Sequence, residues 1–129
     1  MNNKKIGNAF EREFCRILAA EGFWVHFIAP DARGAQPFDV VAAKDGVAYA
    51  FDCKTCVAKY FDMSRMEDNQ KTSFALWMKC GNSDPWIAVK HKDEVYLLRY
   101  ADVKAFGKMD IAKEGIKYDS SEGFGGLFN

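Results

Sequence analysis

The chain has 129 residues, 49% of them apolar and 15% aromatic, enough for one domain with its own core. Its 18 basic and 18 acidic residues cancel, so bulk charge gives no argument for nucleic acid, although a carboxylate-rich site dilutes that count and a bound cation reverses its local sign. The longest apolar runs are too short to span a membrane, and the polar, basic Met1–Gly7 with no apolar stretch after it points to a cytoplasmic protein rather than a secreted one.

In chain order, Ile6, Phe10, Phe14, Ile17 and Leu18 recur at helical spacing and predict a helix from about Lys5 to Glu21, stopped at Gly22. A short strand, Phe23 to Ile28, should follow, then a loop from Ala29 to Pro37. Phe38–Ala43 and Val47–Lys54 read as two strands around Asp45-Gly46, among the strongest hairpin signals. Thr55 to Met63 reads as irregular. Ser64-Arg65-Met66-Glu67 matches a capping box and predicts a helix from there to about Lys79. Pro85–Lys90 and Val95–Tyr100 predict a second hairpin across His91–Glu94, and Ala101–Phe106 a helical turn. The glycine-rich end is expected to be loosely held, so the reading is a core of about residues 4–103 with a C-terminal extension, 104–129. The four cysteines, Cys15, Cys53, Cys56 and Cys80, read as reduced thiols, packed or incidental. Cys53 and Cys56 form a lone C-x-x-C with Cys53 inside a strand, without paired ligands elsewhere, so zinc or redox chemistry is a distant alternative.

If Asp45 and Gly46 are the loop, Lys44 pairs with Val47, and Asp39 falls opposite Asp52. Opposed residues share a face with Cβ atoms roughly 4.5–5.5 Å apart. Lys54, two residues on, points the same way. Two like charges then face each other, and one must take a proton unless a cation lies between them. Hard oxygen ligands favour Mg²⁺ or Mn²⁺. By this alternation Phe38, Val40, Ala42, Phe51 and Cys53 form the apolar face and the charges the other. The competing reading is an exposed hairpin with Asp52 and Lys54 solvated.

On the first helix, Glu11 and Glu13 flank the apolar stripe on opposite sides, and spacing does not choose between them as a third carboxylate. On the second, Gln70 lies within the stripe of Met66, Phe74, Trp77 and Met78. A buried amide needs partners, either neighbouring backbone or a polar site. Phe74, Trp77 and Trp86 are aromatics for the core or for a subunit interface.

The ordered set Lys5-Ile6-Gly7-Asn8-Ala9-Phe10-Glu11-Arg12-Glu13-Phe14, Phe38-Asp39-Val40-Val41, Phe51-Asp52-Cys53-Lys54, Asn69-Gln70 and Trp86-Ile87-Ala88-Val89-Lys90 resembles the PD-(D/E)XK nuclease superfamily. Within it the chain is most similar to Holliday junction resolvases of the archaeal Hjc and bacterial or phage RecU types. One departure is that Pro37 stands two residues before Asp39 instead of adjacent to it. The resemblance implies an α/β restriction-endonuclease-like core with a mixed sheet flanked by helices, and Mg²⁺-dependent hydrolysis of DNA at four-way junctions by a homodimer. It implies that Asp39, Asp52, the Cys53 backbone carbonyl and Glu11 serve the metal, that Lys54 is the catalytic lysine and that Gln70 supports it. Glu11 is thereby preferred over Glu13. It also turns Lys4, Lys5, Arg12 and Arg33 toward DNA. The rivals are a nuclease of the same fold acting on other DNA structures and a non-catalytic DNA-binding or assembly module.

Overall fold

The computed structural model describes residues 3–30 and 36–128, with side chains from residue 9 onward. Its elements are α1 (Asn3–Ala20), β1 (Trp24–Phe27), β2 (Val40–Lys44), β3 (Val47–Thr55), β4 (Tyr60–Asp62), a 3-10 turn (Met63–Arg65), α2 (Asp68–Lys79), β5 (Trp86–His91), β6 (Glu94–Arg99), α3 (Tyr100–Phe106), β7 (Lys108–Asp110), α4 (Ile111–Glu114) and β8 (Ile116–Lys117). Six strands form the main sheet in the order β1-β2-β3-β5-β6-β8, and β4 pairs with β7 in a separate ribbon. Among the described strands only β3 and β5 run parallel, and α2 lies on the connection between them. This is the mixed sheet flanked by helices expected from the sequence.

Both hairpins turn on two residues. Asp45 and Gly46 have φ of 53° and 81°, the doubly positive geometry that matches strand twist and favours glycine at the second position. The pairs run from Lys44↔Val47 to Val40↔Phe51, the register deduced from the Asp-Gly loop. The second hairpin is tighter than expected: His91 pairs with Glu94, leaving only Lys92 and Asp93 in the turn, again with positive φ.

Both faces of the sheet are covered. On one, α1 buries Phe10, Phe14 and Leu18 against Val40, Ala42, Phe51, Cys53, Ala88 and Leu97. On the other, Phe74 of α2, Tyr100 and Val103 of α3, Ile111 of α4 and Phe61 and Met109 of the ribbon pack on Ala50, Ile87, Val89 and Leu98. Each fully buried large apolar side chain contributes roughly 1.5–3 kcal/mol. The face carrying Asp52 is therefore part of the core, and Asp52 is buried in it rather than solvated as the competing exposed-hairpin reading requires.

Three further expectations change. The capping box at Ser64 starts no α-helix: the Ser64 N–H donates to Asp62 Oδ1 at 2.9 Å and closes a 3-10 turn. The helix begins four residues later because Gln70 Oε1 accepts the Glu67 N–H at 3.0 Å, so Glu67 and Gln70 form the box. Phe38 packs on Phe74 and Trp77 and not beside Val40, because the β2 ladder ends at Val40 and strand alternation ends with it. The tail is not loose. Phe124 is buried, and the Phe128 ring lies 5.2 Å from Phe23, 5.0 Å from Tyr49 and 6.2 Å from both Phe51 and Trp86, completing the α1 side of the core. Gly123 allows this closure: it has φ of 64°, and a Cβ there would collide with the Glu21 carboxylate.

Candidate active site

The site forms where β2 stops. Pro37 has no N–H to continue a ladder, and the Asp39 N–H bonds to the Phe51 carbonyl at 3.1 Å. Where the next rung would lie, the Asp39 carboxylate takes over: Oδ2 accepts the buried Cys53 N–H at 2.8 Å. In an extended strand the N–H and C=O of one residue point the same way. The Cys53 carbonyl therefore points past the end of β2, on the side where Asp39 sits. Gln36 Nε2 donates to Asp39 Oδ1 at 3.2 Å, and Asn69 Nδ2 holds the Gln36 carbonyl at 2.6 Å.

On β3, Asp52 is fully buried and faces α2. Gln70 Nε2 donates to its Oδ1 at 2.8 Å, while Gln70 Oε1 accepts from Lys54 Nζ at 3.1 Å. The same Oε1 takes the Glu67 N–H, so one amide caps α2 and locks the acid and the lysine together. Lys54 Nζ stands 3.2 Å from Asp52 Oδ2, close enough for ion pairing but not aligned as a hydrogen bond. Oδ2 is left as a buried oxygen without a hydrogen-bond partner.

An acid in this position resists ionising. Burial raises the Asp52 carboxyl well above the usual range and the neighbouring Asp39 charge raises it further, while Lys54 opposes both. Glu11 of α1 is pushed up to about 7, first by burial and then by Asp39, against Lys54 and Arg12. The Cys53 thiol, enclosed beside these acids, is also raised, which suits a packed thiol. A divalent cation would remove the conflict, and the orphaned Oδ2, the Asp39 carboxylate and the free-facing Cys53 carbonyl are hard oxygen donors fit for one. Among the described residues, no three His, Cys, Asp or Glu side chains already form a closed ligand cluster.

Glu11, Asp39, Asp52, Lys54 and Gln70 are accordingly brought together. Of the two helix acids, Glu13 pairs with Lys90 at 2.8 Å, whereas Glu11 is coupled to Asp39 and Lys54. Arg12 is exposed beside Glu11. The side chains of Lys4 and Lys5, and Arg33 as a whole, lie outside the described residues. Gln36 carries no signal in the sequence, and Asn69, although it belongs to the Asn69-Gln70 pair, has no role there, because nothing in the pattern marks its carbonyl partner 33 residues away. The four cysteines are free, with Cys53 and Cys56 in different core clusters on opposite faces. Phe74 and Trp86 are core residues, and Trp77 is half-buried with its indole N–H on the Ser83 carbonyl at 2.6 Å. None of the described helices is long and apolar enough to cross a membrane.

Compared with known proteins, residues 2–121 match the family described as archaeal Holliday junction resolvase (Hjc). The match reaches beyond residue 103, consistent with the folded tail. The crossover junction endodeoxyribonuclease Hjc of Methanocaldococcus jannaschii is 29% identical over 111 residues, covering 86% of this chain and 78% of that protein. The solved structure of Archaeoglobus fulgidus Hjc, a Holliday junction resolvase, has the same fold, with a TM-score of 0.59 over 89% of each chain at 18% identity.

Proposed function

The chain belongs to the archaeal Holliday junction resolvase family, and from that premise we propose that it is a metal-dependent endodeoxyribonuclease that resolves four-way DNA junctions by hydrolysing phosphodiester bonds. The observation that carries the reading is the fully buried Asp52, with one oxygen left without a hydrogen bond beside Lys54 and Asp39. A core acid held this way is costly unless it serves a ligand.

Asp39, Asp52 and the Cys53 carbonyl, with Glu11 at the rim, would hold Mg²⁺ or Mn²⁺. Such an ion supplies a Lewis acid for a phosphate oxygen and acidifies a bound water. The remaining work belongs to the chain. Lys54, fixed between Asp52 and Gln70, orients the attacking water and offsets negative charge developing on the phosphate. Gln70 is a positioning residue: all three of its bonds go to protein, so it sets the geometry of Asp52 and Lys54 without itself holding a water or phosphate. Arg12 lies exposed where it can meet a flanking phosphate. A four-way junction has two-fold symmetry, so paired cuts on opposed strands call for a homodimer.

The test is Mg²⁺-dependent cleavage of a four-way junction and a sequence-matched linear duplex by wild type and Lys54→Ala. Paired nicks in the junction alone, lost in Lys54→Ala, support the proposal. Equal cutting of both substrates leaves a nuclease of broader specificity. Binding without cutting in any divalent ion leaves a DNA-binding module and removes the enzyme.

A further inference from the structure

We propose that the β4–β7 ribbon and the 3-10 turn behind it form a second phosphate-binding ledge, which holds the DNA backbone on the side of the cut opposite α1. The inference rests on the chain acting on DNA, and it assigns the residues that grip the substrate away from the reacting bond.

Arg65 is the anchor. Its Nη2 donates to the Thr55 carbonyl at 2.8 Å, one residue beyond Lys54, and its guanidinium lies 5.7 Å from the centre of the buried Phe61 ring. It is exposed, and among the described residues it has no carboxylate partner within ion-pair distance. A guanidinium fixed by one donor and one ring face still presents its other N–H groups, in the fork geometry that suits a phosphate. Two residues further on, Glu67 caps the helix that delivers Gln70. Arg65 is therefore tied to both halves of the site.

The ribbon extends this cationic edge. Tyr60 is exposed, and its ring has Lys108 Nζ at 4.8 Å and Lys59 Nζ at 5.4 Å, which restrains two ammonium groups that would otherwise sample many rotamers. Val57, 88% exposed, and Phe106, 71% exposed, offer apolar contacts to sugars. Carboxylates are present too. Asp62 sits opposite Lys108 and accepts the Ser64 N–H, and Asp110 lies 3.7 Å from Lys59 and accepts the Lys113 N–H. Both are occupied by backbone donors. Asp110 holds Lys59 in an ion pair, so Arg65 and Lys108 are the ledge cations that have no carboxylate within ion-pair distance among the described residues.

Placement completes the argument. Phe61 and Met109 root the ribbon in the cluster on the α2 face, whereas α1, with exposed Arg12 and Arg16, covers the other face. The carboxylates and Lys54 lie between the two. A backbone passing over the end of β2 would meet arginines on one side of the cut and the ledge on the other.

The experiment measures binding of a four-way junction by fluorescence anisotropy, with Ca²⁺ replacing Mg²⁺, from 50 to 300 mM salt, for wild type and Arg65→Ala/Lys108→Ala. Each lost phosphate contact reduces the log–log salt slope by about 0.9. The double variant should therefore lose about 1.8 in slope and about sixtyfold in affinity at 0.1 M salt, while circular dichroism shows it folded like wild type. On wild type, the junction should protect Lys59 and Lys108 from acylation relative to Lys117, which pairs with Glu94. Unchanged slope and affinity in the folded variant, or equal acylation of all three lysines, overturns the ledge and leaves the nuclease intact. A wild type that neither binds nor cuts DNA overturns both.

Discussion

Replacing Glu11 with Gln should flatten the dependence of stability on pH in the metal-free protein. Folding lifts this carboxyl from 4.5 to about 7. Below the unfolded value both states hold the proton and folding bears no penalty. As pH rises through the interval the native state retains a proton the unfolded state has lost, so stability falls with pH and the full penalty is reached above 7. At 1.36 kcal/mol per unit the shift corresponds to about 3.4 kcal/mol. About half of the group is open to solvent, which reduces this to about 1–2 kcal/mol. An unfolding entropy of about 2.1 cal/mol/K per residue turns that into about 4–7 °C. Thermal melts in EDTA at pH 5 and pH 8 are the assay. Wild type should lose about that much more than Glu11→Gln between the two pH values, and saturating Mg²⁺ at pH 8 should restore more of it to wild type. Parallel profiles for the two proteins would refute the reasoning, because Glu11 would then be an ordinary surface acid.

Asp39→Asn keeps an acceptor for the Cys53 N–H and removes the charge beside Asp52, so metal-free stability should rise by about 1 kcal/mol by chemical denaturation while cleavage is abolished. Gln70→Leu removes the acceptor of the Glu67 N–H and the donor to Asp52, a loss of about 2–4 kcal/mol in urea unfolding accompanied by reduced cutting. Phe128→Ala empties a half-buried slot among Phe23, Tyr49, Phe51 and Trp86 and should lower stability by about 2–3 kcal/mol, with the cutting rate at saturating DNA unchanged.

The site was most legible where a local rule fixed long-range geometry. Asp45-Gly46 sets a loop length, the loop length sets a register, and the register brings Asp39 to the end of β2 near Asp52. What that rule could not supply is the break in the ladder. The register logic placed Asp39 as a strand residue, whereas it ends the strand and spends its carboxylate on the next backbone N–H. Phe38 changes face for the same reason. Glu11 and Glu13 are equivalent on a helical wheel, and long-range partners separate them: Lys90, 77 residues on, for Glu13, and Asp39 and Lys54 for Glu11. The capping box was misassigned because Ser64-x-x-Glu67 and Glu67-x-x-Gln70 overlap, and a buried acid that binds Gln70 decides between them. The tail misled because glycine content reads as looseness, while glycines allow the buried Phe124 and the half-buried Phe128 to fold back onto the core.

The parallel pairing of β3 with β5 bears on when this protein becomes competent during folding. The β2–β3 hairpin closes a two-residue loop, but β5 can join only after the thirty or so residues 56–85 have been gathered in. Chain-closure entropy makes the second step costlier by about 2.4 kcal/mol. Asp39 and Asp52 can thus be neighbours in a chain that has formed nothing more than its hairpin. Gln70, which travels on the crossover, reaches Asp52 and Lys54 only when the sheet is assembled. A half-folded molecule would carry the acids without an oriented lysine, and cutting power would arrive last, with the completed tertiary structure.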